Sequence, residues 1–327
     1  MYNKYMLYGG FSMLRRNLIP ILILLIIFAF VLQPTIVSEG AFKGLNIWFN
    51  NIVPFLFPMF ILSNILLQYN FMYSILERLS FFLRKILKSK YALIPYFISF
   101  ISGYPSGAMI VNIMAENKKI SNNEANYILT FTNNCSFQFI AAVVAYSMLG
   151  NFNLFIYIAI PHYLGGMLLS FLFTNKENSL SMNLKYKPKP MHFNEVFSSS
   201  IYKAIISTLT VGGVIVIFSV FSQYITKLLF ANDIFVSLNS NLKDIIFSLL
   251  IGSLEITNGC SIISASMLPI EIKLIIINFL ISFSGMSIIF QTIAVTSDFN
   301  FEVMNYVKAK FVLGVVSSLL CIAMLLL

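Results

Sequence analysis

The chain has 327 residues, of which 58% are hydrophobic and only 10% charged, and its mean hydropathy is +0.86. This composition excludes an ordinary soluble globular protein and predicts an all-α protein that crosses the membrane several times, with the lipid bilayer as its partner. The net charge of +9 does not indicate a nucleic-acid partner. The basic residues stand in short loops between apolar segments, where they orient a membrane protein.

Nine apolar segments are long enough to cross about 30 Å of hydrocarbon as helices. They lie at 18–37, 45–68, 91–115, 126–149, 153–173, 201–230, 245–268, 272–297 and 303–327. The first segment follows Arg15 and Arg16, as in a signal peptide, but no small-residue cleavage site follows it. We therefore expect it to be retained as a span.

The distribution of Lys and Arg decides between two topologies. If all nine segments crossed the membrane from a cytoplasmic N-terminus, 12 of the 21 basic residues would lie inside and 9 outside. If 91–115 and 245–268 are instead re-entrant hairpins, 17 lie inside and 4 outside. Because cytoplasmic loops are enriched in Lys and Arg, the charges favour seven transmembrane helices plus two hairpins. We therefore expect a protein of the cell membrane whose N-terminus lies in the cytoplasm.

Two polar segments complete the predicted organisation. Segment 70–90 combines apolar residues at helical spacing with basic residues, which predicts an amphipathic helix on the cytoplasmic surface. The polar stretch 174–200 predicts a cytoplasmic linker. The chain thus divides into two N-terminal helices (1–69), a first repeat (70–173), the linker (174–200) and a second repeat (201–327).

The cysteines and histidines carry no catalytic or metal-binding pattern. Cys135, Cys260 and Cys321 lie in apolar segments without C-x-x-C spacing, and His162 and His192 stand far apart. We expect neither a disulfide framework nor a metal site nor a cofactor, and we interpret both histidines as packing or interface residues. Without a His pair, a Cys-His couple or a phosphate loop in the sequence, an enzyme is not predicted.

The first hairpin carries a helix-breaking motif at its middle, Ser102-Gly103-Tyr104-Pro105-Ser106-Gly107. Gly103, Pro105 and Gly107 are expected to break the helix and shape the backbone. Backbone groups freed at membrane depth must face protein or a wet cavity. The candidate solute ligands of this motif are Ser102, Tyr104 and Ser106.

The following span, 126–149, is interrupted by the polar stretch from Thr132 to Gln138, in which five of seven residues are polar. Two interpretations remain open for this cluster. Its side chains line a solute site, or they are interhelical hydrogen-bond glue worth about 0.6 kcal/mol per contact. The candidate solute ligands of this stretch are Asn133, Asn134, Ser136 and Gln138.

The second half repeats this plan. Its hairpin carries Gly252-Ser253-Leu254-Glu255-Ile256-Thr257-Asn258-Gly259, and its span 272–297 is interrupted between Ser282 and Ser287. The candidate solute ligands here are Thr257, Asn258, Ser284 and Gln291, and the residues expected to shape the backbone are Gly252, Gly259 and Gly285. Since the two hairpins enter from opposite sides in the favoured topology, the halves are predicted to be inverted repeats, which several secondary transporters use to build a midplane site.

Glu255 is the carboxylate inside the second hairpin. A carboxylate at membrane depth costs about 3 kcal/mol by insertion scales, so something must offset its burial. Either a lysine from a neighbouring helix pairs with it, or it belongs to a solute pathway, because intramembrane ionisable residues mark such pathways. The half-helix N-termini at the breaks also favour an anionic group at the centre.

With these motifs the chain resembles the sporulation integral membrane proteins of the Gate, or nucleoside-recognition, superfamily over nearly its whole length. The resemblance implies hairpin-plus-broken-helix repeats similar to those of concentrative nucleoside transporters. The motifs that carry it are Pro54-Phe55-Leu56-Phe57-Pro58, Ser102 to Ala108, Ile120-Ser121 with Glu124-Ala125, Phe131 to Asn134 with Phe139-Ile140, and Gly252 to Gly259.

The resemblance implies transport of dipicolinic acid from the mother cell across the outer forespore membrane during spore formation. Dipicolinate is a planar aromatic dianion. Its carboxylates would be bound by helix N-termini and by Asn and Ser donors, and its ring would pack on aromatic faces. Glu255 suits a dianion only when protonated or bonded to a donor, so we hypothesise that it is a gating or proton-coupling group. A nucleoside permease and a structural sporulation protein that carries nothing are the alternatives, and a homo-oligomer is compatible with each.

Overall fold

The computed structural model describes residues 18, 20–69, 78, 87, 89, 91–116, 118–173, 192–296 and 299–327. Over these residues the protein is all-helical, without a β-strand. The predicted surface helix at 70–90 and most of the linker at 174–200 lie outside the described residues, as do the first 17 residues.

The N-terminal region turns sharply once and then continues as a long helix. Helix α1 (Pro20–Leu32) is bent by 98° from the helix that follows it. Helix α2 (Pro34–Asn46) runs through a π-helical segment, π1 (Ile47–Ile52), into α3 (Val53–Gln68) without a loop. Pro34 stands at the first helical position, where its missing N–H costs nothing. The loop expected between the spans 18–37 and 45–68 is therefore helical.

This long N-terminal helix packs antiparallel against the 38-residue helix α8 (Phe193–Phe230). Gly44 allows the close approach, since a Cβ there would lie 2.9 Å from the Val216 Cα. One turn further, the Trp48 indole donates to the Thr208 carbonyl at 3.1 Å. Small residues at such crossings let helix backbones approach closely in membranes.

Both predicted hairpin segments consist of two short helices joined at the expected breaks. Hairpin 1 contains α4 (Leu93–Ser102) and α5 (Ser106–Glu116), and Gly103 between them has φ +77°. Hairpin 2 contains α10 (Ser240–Leu254) and α11 (Ile256–Ala265), which meet at Glu255. The short helix α9 (Asp233–Val236) links α8 to hairpin 2. The two arms of hairpin 2 touch at Gly252 and Gly259, where a Cβ on Gly259 would lie 2.2 Å from the Gly252 Cα.

Each hairpin is followed by a broken helix. Helix α6 (Asn122–Thr132) ends before the non-helical residues 133–136, which we name break 1, and the chain resumes in a second π-helical segment, π2 (Phe139–Met148). Helix α12 (Ile270–Phe283) ends at Ser284, named break 2, and continues as α13 (Gly285–Val295). Hairpin 1 abuts break 1, and hairpin 2 abuts break 2.

Two further helices enclose the breaks. Helix α7 (Phe155–Leu172) follows π2 through a single 3-10 turn, and α14 (Val303–Leu325) ends the chain. Apolar clusters flank the breaks, one on hairpin 1, α6 and the first half of α14, the other on π2, α7 and α11 to α13.

Four helical stretches of the described residues are long and apolar enough to cross a membrane, and the bent N-terminal pair would make a fifth. The four are Phe152–Leu172, Phe193–Phe230, Ile270–Val295 and Val303–Leu325. They correspond to four of the seven predicted spans. The predicted span 126–149 is instead divided by break 1 into pieces that are each too short to cross alone.

Candidate functional site

A cavity with about 440 Å³ of empty space, part of it open to the surroundings, lies where both hairpin tips and both broken helices meet. We name it the central cavity. Its lining residues are Ile52, Leu56, Ser102, Gly103, Tyr104, Cys135, Ser136, Phe139, Val211, Ile215, Glu255, Ile256, Thr257, Ile288 and Gln291.

The cavity unites candidates from the two halves of the sequence. Ser102, Gly103, Tyr104, Ser136, Glu255, Thr257 and Gln291 all line it. Its apolar wall was not predicted, because α3 and α8 contribute only aliphatic side chains there. These residues look like ordinary lipid-facing or core positions in a sequence.

Glu255 is buried between the two helices of hairpin 2 and caps the second of them. Its Oε2 accepts a hydrogen bond from the Asn258 backbone N–H at 2.8 Å, which places the carboxyl group at the N-terminus of α11. A carboxylate is stabilised there by unpaired N–H groups and the helix dipole. No ion pair with a lysine is found for Glu255 in the described part of the chain, so the structure offers helix capping and not the lysine partner of the first alternative.

Two buried polar atoms of the cavity wall, the Tyr104 hydroxyl and the Gln291 Oε1, have no nitrogen or oxygen partner among the described residues, and the Tyr104 hydroxyl has only the weakly bonding Cys135 thiol beside it. Gln291 is fully buried, and its Nε2 donates to the Ser287 hydroxyl at 3.3 Å. An unsatisfied buried polar group costs about 1–3 kcal/mol. A polar solute in the cavity would give both atoms a partner.

Asn133, whose side chain is fully buried, connects break 1 to other helices by hydrogen bonds. Its Nδ2 donates to the Thr292 hydroxyl at 3.0 Å and to the Tyr306 hydroxyl at 2.8 Å. Its Oδ1 accepts from the Ala108 N–H of hairpin 1 at 3.4 Å. Asn133 does not line the central cavity, and these bonds match the interhelical interpretation that the sequence left open.

Lys310 is a buried cation that the favoured topology counted among the 17 basic residues on the cytoplasmic side. The structure places it in α14, fully buried, where its Nζ donates to the Asn133 carbonyl and lies 3.4 Å from the Asn134 Oδ1. A positive charge is favoured at the carbonyl end of α6. Helical periodicity was the available signal, since Lys310 shares a buried face with Tyr306, Leu313, Gly314 and Ser317.

His162 on α7 connects the two broken helices, although it appeared isolated in the sequence. Its Nε2 accepts from the Cys135 N–H in break 1 at 3.1 Å. Its Nδ1 lies 2.8 Å from the Ser282 hydroxyl, two residues before break 2, and Ser282 in turn donates to Ser317 at 2.8 Å. Acceptance at Nε2 places the proton on Nδ1, which then donates to Ser282.

The remaining candidates lie outside the central cavity. Asn134 donates to the Phe131 carbonyl at 2.8 Å, and Asn258 donates to the Ser219 hydroxyl at 3.2 Å. Gln138 is half-buried at the start of π2. Ser284 is buried in the left-handed conformation, with φ +75°. Ser106 lines a second cavity, and His192 caps α8 at an exposed position.

The glycines and the proline of the breaks stand where the backbones approach closely. A Cβ on Gly107 would lie 2.8 Å from the Thr132 carbonyl oxygen, and one on Gly285 would lie 2.9 Å from that of Gly252. The Tyr104-Pro105 peptide bond is cis. Among the described residues, no group of three His, Cys, Asp or Glu side chains could hold a metal ion.

The long apolar helices of the described residues define an integral membrane protein. The chain is similar to the sporulation integral membrane protein YlbJ of Bacillus subtilis (strain 168), with 25% identity over 315 residues, which is 86% of this chain and 76% of the relative. This similarity supports a relationship to sporulation membrane proteins. No family profile and no solved structure matches the chain.

Proposed function

We propose that the protein is a membrane transporter that binds a small solute in the central cavity, and that it acts during sporulation, as the name of its Bacillus relative suggests. The observation that carries the proposal is a pair of buried polar atoms at the cavity wall, the Tyr104 hydroxyl and the Gln291 Oε1, which find no nitrogen or oxygen partner among the described residues. Buried polar atoms without partners are rare. A bound solute explains why these two are retained.

Dipicolinate is the first candidate solute, because the family resemblance implies it. Its carboxylates require donors, and the Tyr104, Ser136 and Thr257 hydroxyls supply them around the cavity. Its aromatic ring would contact the apolar wall formed by α3 and α8. The proposed membrane is the outer forespore membrane, with net movement out of the mother cell.

Glu255 is proposed as the coupling group. A dianion beside an ionised carboxylate is electrostatically unfavourable in a low-dielectric site. Glu255 would therefore carry a proton while the solute is bound and release it when the solute leaves. If the Glu255→Gln variant transports at the wild-type rate at every pH, this role is excluded.

A nucleoside is the second candidate, favoured by the charge of the lining. No Lys, Arg or His is among the residues that line the central cavity, and Glu255 is its carboxyl group. Ribose hydroxyls donate well to a carboxylate, and the base would pair with neutral groups such as Gln291. This lining suits a neutral polar solute without any change of protonation.

The proposed architecture in the membrane is seven transmembrane helices and two re-entrant hairpins in inverted repeats, with the N-terminus in the cytoplasm. Two short helices that meet at a buried tip support this proposal for each hairpin. Alternating access would then move one repeat against the other around the central cavity. Cysteine labelling at exposed Lys203 and at exposed Lys227, near the two ends of α8, from either side tests the orientation.

The testing experiment reconstitutes the purified protein into terbium-loaded liposomes and follows dipicolinate entry by sensitised terbium luminescence. Uridine in excess is the competitor that separates the two candidates. Glu255→Gln and Gln291→Leu are the test variants, and Glu271→Gln, at an exposed position of α12, is the matched control.

Dipicolinate entry that the test variants reduce and Glu271→Gln does not would support transport through the central cavity. Strong inhibition by uridine, together with uptake of labelled uridine, would favour the nucleoside. No uptake of either solute by well-folded protein, under either direction of pH gradient, would favour a structural protein of the sporulating cell and overturn the transport proposal.

A further inference from the structure

A second cavity, with about 330 Å³ of empty space that is partly open to the surroundings, lies next to the central one and has no role in the solute site described above. It shares three walls with the central cavity, α3, hairpin 1 and α8. Its lining residues are Phe60, Asn64, Ile98, Ser106, Met109, Ile110, Ile113 and Ser207. We name it the outer cavity.

The two cavities follow each other along α3. Ile52 and Leu56 line the central cavity, and Phe60 and Asn64 line the outer one. Residues four apart share a helix face, and at 1.5 Å per residue the step from Ile52 to Asn64 covers about 18 Å along the axis. One face of α3 therefore borders both cavities over more than half the thickness of a bilayer core.

Helix α8 and hairpin 1 show the same order. On α8, Ile215 and Val211 line the central cavity and Ser207 lines the outer one. On hairpin 1, the tip lines the central cavity, whereas the arms, from Ile98 and Ser106 outward, line the outer cavity. From the central cavity to the outer one, all three walls therefore run from the tip of hairpin 1 toward its base, where its first and last residues lie.

A cluster of hydrogen bonds lies beyond the outer cavity, one turn further on α3 and about two turns further on α8. The Gln68 Nε2 donates to the Ser199 hydroxyl at 3.2 Å and to the Ser200 hydroxyl at 3.0 Å. Gln68 follows Asn64 by one turn of α3, and Ser200 precedes Ser207 by about two turns of α8. These bonds join α3 to α8 across the line that the two cavities follow.

We infer that the two cavities are successive parts of one solute path between α3, α8 and hairpin 1, and that Gln68 with Ser199 and Ser200 forms its closed gate. The inference rests on the proposed transport function and adds its route. The solute is the same small polar molecule that enters the central cavity, and Asn64, Ser106 and Ser207 offer it polar contacts on the way. In the predicted topology the gate faces the cytoplasm.

The test measures access to the path by thiol labelling. Ser207→Cys places a thiol in the outer cavity, and native Cys135, which is 1% exposed, reports on the central cavity. Reconstituted protein is treated with a positively charged, membrane-impermeant methanethiosulfonate, and peptide mass spectrometry gives the rate at each site. Met109→Cys, beside Ser207 in the same cavity, replaces Ser207→Cys if that variant folds poorly.

The gate is opened by Gln68→Ala, which removes both hydrogen bonds. We expect labelling at position 207 to become about tenfold faster, the factor that corresponds to the loss of two neutral hydrogen bonds. Gln223→Ala is the matched control, since Gln223 joins the same helix pair at its other end, where it donates to the Glu39 Oε2 at 3.0 Å. In the Gln223→Ala variant, the labelling rate at position 207 should stay at the level of the parent protein.

Two further comparisons sharpen the result. Ser222→Cys puts a thiol at a buried α8 position that lines neither cavity, and it should stay unreactive in the Gln68→Ala background. Dipicolinate or uridine, whichever is transported, should slow labelling at position 207 and at Cys135, because the solute occupies the path.

The outcomes separate the path from the transport proposal. Solute flux by the parent protein, with labelling that Gln68→Ala does not accelerate, overturns the path and leaves transport standing. Equal acceleration by Gln223→Ala also overturns it, because the effect would then be general loosening of the helix pair. Labelling that Gln68→Ala accelerates, without flux of any tested solute, would support an aqueous path through the two cavities and overturn the transport proposal.

Discussion

Break 1 and break 2 interrupt equivalent helices of the two halves, yet different interactions hold them. Break 1 is bonded to three other helices, through Asn133 to Thr292 and Tyr306 and through the Cys135 N–H to His162. At break 2 the Ser284 hydroxyl reaches only the Ser282 carbonyl, at 3.5 Å, and the backbone is shaped by positive φ angles and close packing on hairpin 2.

The difference lies in how the polar groups at and around the two breaks are satisfied. The polar side chains of break 1 are satisfied by protein, whereas the second half leaves the Gln291 Oε1 and the Asn258 Oδ1 without partners among the described residues. A satisfied network fixes a structure. We therefore expect substitutions at break 1 to lower stability, and substitutions around break 2 to lower transport.

The largest effect is expected from Gly259→Ala, which tests whether close packing holds hairpin 2. A Cβ there would overlap the Gly252 backbone, which has no flexible side chain that could move away. We expect a loss of more than about 3 kcal/mol of unfolding free energy, or failure to fold. Titration with denaturing detergent measures it. Gly213→Ala, where a Cβ meets nothing within 4 Å, is the control, and equal loss in both variants would contradict the packing argument.

Asn133→Ala should lower stability by about 2 kcal/mol, because it removes bonds to two hydroxyls and to a hairpin N–H in a buried site. The thermal midpoint in detergent gives the change, and Asn122→Ala, exposed at the start of α6, is the control. A variant with unchanged stability but abolished solute binding would reverse the assignment of break 1.

Lys310→Met should change stability by less than about 1 kcal/mol, since the lost hydrogen bonds are offset by removing a buried charge that has no ion-pair partner in the described chain. Lys310→Ala should cost about 2–4 kcal/mol, because it also leaves a cavity. Lys308→Met, exposed on the same helix, is the control. A large loss of stability in Lys310→Met would show that the Lys310 ammonium group itself stabilises break 1.

Gln291→Leu should have the smallest effect on stability, about 1 kcal/mol or less, because its Oε1 has no partner to lose. Its expected effect is on solute affinity, which should fall about tenfold if the amide bonds the solute. Calorimetry with dipicolinate and with uridine measures it. Unchanged affinity for both solutes would indicate that the solute contacts Tyr104 or Thr257 and not Gln291.

Sequence reasoning predicted the break positions from chemistry that is local to each segment. A proline between glycines breaks a helix in an apolar segment whatever the neighbours are, and a cluster of Asn and Ser side chains weakens one. The structure interrupts the chain at Gly103, Asn133, Glu255 and Ser284. The joined α2 to α3 helix was missed because Ser38, Glu39 and Lys43 look like a loop and are instead exposed on a helix.

The sequence by itself determined that this is a helical membrane protein with polar interruptions, because composition and local breakers act without regard to the fold. Only the tertiary structure decided which partners each polar residue has. Asn133, His162 and Lys310 have hydrogen bonds to partners more than 25 residues away in sequence. Tyr104 and Gln291 keep polar atoms at a cavity that no nitrogen or oxygen partner among the described residues reaches. Pairing across distant segments depends on packing, which no local pattern encodes.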